Sequence, residues 1–326
     1  MVVGRRALLA GVMGSVASVA LTACGSGEDT ARGGAASGPS GTAQGTFPRT
    51  VKHEVGETAV PAPPQRIVAA TDGGELCSLV ALGLQPVGFG QRNKPLRPWL
   101  AGRTGSAQTF DLPNSEMSFE RLAAWRPDLL LVQNGFATAE NLGKYSAIAP
   151  TVVTSFEDWR ANLRQVGEAV GRAEDAKRVE KAADDQVAAA KTRFARFAGL
   201  KVRVATAFDD GSVYVLNEQS PIGKLATALG LAPFPAQVTD GEAINPVSLE
   251  QLTVIDGDLL LIQHFGDGDG APGLKQRDVY KRLSAVGAGK VVDLTEDESN
   301  ASYFDTVLTI PLNLAMLEKH LPASGR

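Results

Sequence analysis

The chain has 326 residues, 44% apolar and 21% charged, an ordinary globular composition with material for one large core or two modest ones. Its formal net charge of -4 gives no footprint of nucleic-acid binding, so no nucleic acid is expected as a partner. Cysteine occurs twice, at Cys24 and Cys77, which excludes a disulfide framework.

Arg5 and Arg6 precede an apolar run from Ala7 to Leu21. Residues 1–23 therefore read as a secretory signal, too short for a comfortable membrane span. The run ends Leu21-Thr22-Ala23-Cys24 and gives way to Gly25, Ser26 and Gly27. That order resembles the bacterial lipobox, in which cleavage precedes a cysteine that is then lipidated, and a plain signal peptide containing a cysteine is the alternative. The Arg5-Arg6-Ala7-Leu8-Leu9 order also looks like a twin-arginine signal, and the choice between the two export routes stays open. Residues 24–60, rich in Gly, Ser, Ala, Thr and Pro, are expected to form a flexible tether. Anchor, tether and folded body together predict an extracytoplasmic protein held at the outer face of the cell membrane through Cys24.

Over 61–156, short apolar runs at Arg66–Ala70, Pro86–Gly90, Leu129–Val132 and Thr151–Val153 predict strands. Glu75–Leu82, Ser118–Ala124 and Glu140–Ile148 predict the helices between them, and the alternation points to a parallel sheet with covering helices. Residues 157–198 form a helix-prone linking segment, of which 173–197 could make a rod of roughly 35 Å at 1.5 Å per residue. The alternation restarts over 199–326. Strands are predicted at Val202–Ala205, Val213–Leu216, Asp258–Gln263 and Lys290–Leu294, and helices at Pro221–Leu229, Ser248–Ile255 and Asp278–Leu283. A last helix is expected from about Phe304 to Lys319, with Pro311 kinking or breaking it. The expected fold class is α/β: two lobes, each with a mostly parallel sheet covered by helices, joined by one long α-helix.

The halves share a local order. Ser118, Glu120, Leu122, Asp128 and a triple Leu from Leu129 recur at the same spacing as Ser248, Glu250, Leu252, Asp258 and the triple Leu from Leu259. Any capped helix–strand unit has part of this form, but the shared spacing goes beyond it.

Several segments resemble the substrate-binding proteins of ABC importers for iron-siderophores, haem and vitamin B12. They are Pro64-Gln65-Arg66-Ile67-Val68, Ala81-Leu82-Gly83-Leu84-Gln85-Pro86-Val87-Gly88, Arg126-Pro127-Asp128-Leu129, Ile148-Ala149-Pro150-Thr151-Val152 and Leu229-Gly230-Leu231, with the two Glu-containing units. The resemblance covers nearly all of 60–320. It implies two lobes on a single long helix, a ligand between them, and a lipid-anchored carrier rather than an enzyme. It also implies a membrane permease with its ATPase as partner, docked through one exposed glutamate per lobe, here Glu120 and Glu250. A first-turn carboxylate is stabilised by the helix dipole and can pair with arginine, although an ordinary helix-start glutamate reads the same way. The implied cargo is an iron(III)-siderophore, with haem, cobalamin or a bare metal ion as alternatives, and no resident cofactor is expected. A rival from another class is a lipid-anchored surface protein that uses the fold for adhesion or signalling.

Ligands of open parallel sheets lie beyond the carboxyl ends of the strands. The loop after the second strand carries Arg92, Lys94, Arg97, Trp99 and Arg103, and cations beside an aromatic face suit a ferric chelate, though a solvated basic loop looks alike. Arg92, Trp99 and Arg103 are the candidates there. Tyr303 and Phe304 are candidates for the opposite wall, or they begin a buried helix. Of the three histidines, His264 alone follows a strand end, which is too few for a zinc site and leaves direct metal capture the lesser reading, while His264 stays a ligand candidate because it or Tyr303 could touch iron that a chelator leaves open.

Overall fold

A computed structural model describes residues 45–92, 94–112, 116–208, 212–235, 244–265 and 272–322. The signal over 1–23, Cys24 and the tether up to residue 44 lie outside these. Among the described residues no helix is long and apolar enough to cross a membrane.

The expected tether gives way to folded structure sooner than residue 60. β1 (Arg49–His53) and β2 (Gly56–Val60) pair as an antiparallel hairpin, with Arg49 opposite Val60. Val51 and Val60 are buried in the first lobe's core, beside Leu129 and Val152. Two valines on the inward face of an otherwise polar hairpin carry little periodicity, and the turn-rich composition hid them.

The first lobe holds β3 (Ile67–Ala69), α1 (Gly74–Ala81), β4 (Gly88–Gln91), β5 (Gln108–Asp111), α2 (Phe119–Ala124), β6 (Leu129–Gln133), α3 (Leu142–Ser146) and β7 (Thr151–Thr154). Its sheet runs β5-β4-β3-β6-β7 and every pair is parallel. β6 reads Leu-Leu-Leu-Val-Gln and is buried along its whole length, as a central strand covered on both faces must be. The linking segment is not one helix. α4 (Trp159–Ala169) ends at Gly171, whose φ of 72° is the left-handed conformation that closes a helix, and α5 (Ala173–Phe194) begins after it. A Cβ at Gly167 would stand 2.7 Å from that of Ala176, so the glycine lets the two helices cross closely. α4 covers the first lobe, packing on α1 and β7, and α5 alone is the rod, about 33 Å long. Along α5, Ala176 and Ala183 enter the first lobe's core while Ala190 and Phe194 enter the second's.

The second lobe holds β8 (Val202–Ala207), β9 (Val213–Leu216), α6 (Pro221–Ala228), β10 (Ile244–Val247), a 3₁₀ helix over Leu249–Ile255 and β11 (Leu259–Gln263). Then come α7 (Pro272–Lys275), α8 (Asp278–Lys281), α9 (Ser284–Gly287), β12 (Val291–Asp293), α10 (Glu296–Tyr303) and α11 (Ile310–His320). Its sheet runs β10-β9-β8-β11-β12, parallel through β8, β11 and β12 but antiparallel at β8–β9 and β9–β10. The link from β8 to β9 is too short for a crossover, so β9 can only return alongside. Pro246 is tolerated because β10 is an edge strand.

The expected helix over 304–319 is also two elements. Pro311 sits in the first turn of α11 rather than inside it, and residues 304–309 form a strap. Ala301, Val307 and Leu308 pack into the first lobe, whereas Leu314 and Leu317 pack into the second. The lobes are thus tied twice, by α5 and by this strap.

The internal repeat has a structural cause. Asp128 accepts hydrogen bonds from the backbone N–H of Gln65 and Arg66, both at 2.8 Å, and Asp258 accepts one from Lys201 N at 2.8 Å. In each lobe the aspartate before the apolar strand ties that strand's start to its parallel neighbour. Ser118 caps α2 by accepting from Arg121 N.

Candidate functional site

After β3 and Ala70 the chain runs through Thr71-Asp72-Gly73 and turns into α1 at Gly74. Glu75, fully buried in its first turn, accepts from Thr71 N at 2.9 Å and from the Thr71 hydroxyl at 2.6 Å. Burial pushes its carboxyl up to about 7 despite these bonds and the nearby Arg92. Gly73 has to lack a side chain, since a Cβ there would stand 2.7 Å from Gln133 Oε1 and 2.8 Å from Glu75 Oε2.

The basic loop after β4 closes over this turn. Arg92 Nε donates to the buried Asp72 at 3.1 Å, and the Arg92 guanidinium lies 5.4 Å from the centre of the Phe136 ring. Arg97 is 6% exposed, donates to the Asp72 carbonyl at 3.3 Å and lies 3.7 Å from the Phe304 ring centre. Its burial lowers the guanidinium to about 10. Trp99 is buried with its ring 6.4 Å from Phe304, and Arg103 is turned to the Trp99 carbonyl.

A cavity of about 470 Å³, within the usual range for a small-molecule site, opens between the lobes. From the first lobe it is lined by Gly74, by Gln133 at the end of β6 and by Phe156, Glu157 and Asp158 just past β7. From the second it is lined by Leu216, by Gln219 to Pro221 and Lys224 around the start of α6, and by Ile244, and it is closed by Tyr303 at the end of α10 with Phe304 to Thr306 of the strap. Phe156 is half exposed, and Tyr303 packs between Phe265 and Phe304. Asp305 is held largely away from water against the start of α4, where it accepts from Trp159 N, and burial pushes it up to about 6 although Lys224 opposes the change.

Of the ligand candidates read from the sequence, the cavity gathers Tyr303 and Phe304. Arg92, Trp99 and Arg103 stand behind its lining: Arg92 is engaged by Asp72, and Trp99 supports Phe304 from beneath. His264 turns elsewhere. Its Nε2 lies 3.0 Å from Asp293, which Lys275 also engages at 2.7 Å. Burial raises the Asp293 carboxyl, but these two partners outweigh it and hold the group below the usual carboxylate range. Among the described residues no three His, Cys, Asp or Glu side chains gather as a metal site. Glu120 and Glu250 are both exposed in the first turn of their helices. Glu250 is held below the usual carboxylate range by its own backbone N–H and the Ser248 hydroxyl.

Sequence reasoning missed Phe156 and Asp158, although the strand-end rule applied to Thr151–Val153 leads straight to them. Lys224 carried no signal, because nothing local says that the first turn of α6 faces a cavity.

Residues 68–298 match the family described as periplasmic binding protein. The Iron(3+)-hydroxamate-binding protein FhuD of Bacillus subtilis is 26% identical over 280 residues, 83% of this chain and 85% of that protein. The Fe(3+)-citrate-binding protein YfmC of the same organism is 27% identical over 274 residues, covering 79% and 82% of the two chains. A periplasmic solute binding protein of Mycobacterium smegmatis superposes with a TM-score of 0.72 at 26% identity, over 85% of this chain and 98% of that one.

Proposed function

The chain belongs to the periplasmic binding protein family, and on that premise we propose that it is the substrate-binding lipoprotein of an ABC importer, carrying a ferric siderophore between its lobes. It is a binding protein rather than an enzyme and works outside the cytoplasm. The observation that carries the cargo reading is the interlobe cavity, walled by Phe156 just past the carboxyl end of β7 and by Tyr303 and Phe304 where α10 passes into the strap. Aromatic faces with a few polar groups suit a chelate whose flanks are apolar and whose metal is already wrapped. The names of the hydroxamate- and citrate-binding relatives support the same class of cargo.

Cys24, following small residues and preceding a polar stretch, supports a lipid anchor that keeps the carrier beside its permease. Glu120 and Glu250 are the permease contacts: two exposed carboxylates, one per lobe, at the same place in the internal repeat.

Two measurements test this. Intrinsic tryptophan fluorescence should change on titration with a ferric hydroxamate, because Trp99 packs on the cavity-lining Phe304, and the iron-free chelator should bind less well. Absence of binding by any ferric chelate, haem or cobalamin at micromolar concentration removes the cargo assignment. Charge reversal at Glu120 and Glu250 should leave that titration intact while stopping uptake in cells, and undiminished uptake removes the docking role.

A further inference from the structure

We propose that the interlobe cavity selects ferric chelates of positive or zero overall charge, of which an amine-bearing trihydroxamate is the type, and rejects polyanionic carboxylate or catecholate chelates. This rests on the carrier reading and sharpens it. Among the described lining residues the charged groups are Glu157, Asp158 and Asp305 against Lys224, an excess of negative charge around the cavity.

The nearby cations do not reverse that sign. Arg92 is engaged by Asp72, and Arg97 lies buried under Phe304. Arg160, beside Asp158, is ion-paired to Glu180 and Asp184 of α5. A trianionic chelate would therefore meet carboxylates in a lining that, among the described residues, contains no arginine.

Gln133 gives independent support. It is 4% exposed, lines the cavity, and leaves Oε1 without a hydrogen-bond partner. Its counterpart in the repeat, Gln263, is satisfied, with Oε1 accepting from Thr206 and Nε2 donating to Ser302. An unused buried acceptor calls for an N–H donor from the ligand, which amide-linked hydroxamates and their ammonium tails carry and citrate lacks. The ring faces of Phe156, Tyr303 and Phe304 favour the same cationic end.

The test is a charge series on one scaffold. Ferrioxamine B, a ferric trihydroxamate with a free ammonium, is compared by fluorescence titration with its N-acetylated form, which keeps the chelate and loses the charge, and with ferric citrate. The cationic form should bind several-fold more tightly than the acetylated one, and both at least tenfold more tightly than ferric citrate. The first ratio should shrink as salt is raised. Glu157→Lys, at an exposed position that leaves the core untouched, should lower the first ratio towards one and improve citrate binding. Equal affinities across the series, or tighter citrate binding, overturn the charge selection and leave the carrier reading standing. Binding of none of the three overturns the charge selection, and the carrier reading falls with it only if other ferric chelates, haem and cobalamin also fail to bind.

Discussion

Glu75 offers a direct measure of what the turn below the cavity costs the fold. Its carboxyl moves from 4.5 in the unfolded chain to about 7 when buried in α1. At about 1.4 kcal/mol per tenfold in acidity, this is on the order of 3 kcal/mol. Below pH 4.5 the group is neutral in both states and costs nothing. As pH rises from 4.5 to 7 the unfolded chain gives up the proton while the folded chain keeps it, so stability falls; above 7 the loss is complete and constant. Glu75→Gln does not titrate. Its amide oxygen can accept from Thr71 as Glu75 Oε1 does, and its NH₂ group would replace Oε2, which has no partner. Urea unfolding of both chains at pH 5 and pH 8 should therefore show the variant gaining about 2–3 kcal/mol on the wild type across that interval. Other titrating groups are common to the two chains and cancel. A stability difference unchanged between the two pH values would refute the buried, proton-holding Glu75.

Gly90→Ala would place a Cβ 2.5 Å from the Ala70 carbonyl oxygen and 2.5 Å from Leu112, so thermal or urea unfolding should show a loss of about 1–3 kcal/mol. Glu298 closes the capping box of α10 with Thr295 and meets Lys319 at 2.9 Å and His320 at 3.0 Å; these contacts outweigh its burial and hold it at about 2. Its contribution is present above pH 4.5 and is lost as pH falls towards 2. Glu298→Ala should cost about 1 kcal/mol at neutral pH and flatten the acid limb of the stability profile. Cys77 is buried, and burial pushes its thiol up to about 12, so in a Cys24→Ser chain a thiol reagent at neutral pH should label it only after unfolding. Rapid labelling of the folded chain would contradict that placement.

Local pattern made most of the fold legible. Leu129–Gln133 and Leu259–Gln263 read as buried parallel strands because an uninterrupted apolar run of that length has few other uses. The repeat around Glu120 and Glu250 was visible because the same short-range tasks, an aspartate tying two strands and a helix leading into them, leave the same letters twice. The polar strands were not legible. β5 reads Gln-Thr-Phe-Asp and β10 contains a proline, and both become strands only because a sheet edge is waiting for them.

The sequence by itself determined two α/β halves, the α5 rod between them and the segments that end at the cleft, since each depends on neighbours in the chain. Which side chains enter the cavity was decided by tertiary structure alone. Phe156, Lys224 and Asp305 are far apart in sequence and meet only after the strap over 304–309 crosses back to the first lobe, while Asp72 draws Arg92 aside and Asp293 takes His264. Those outcomes are set by competition among partners brought together by folding, and no local spacing encodes which partner wins.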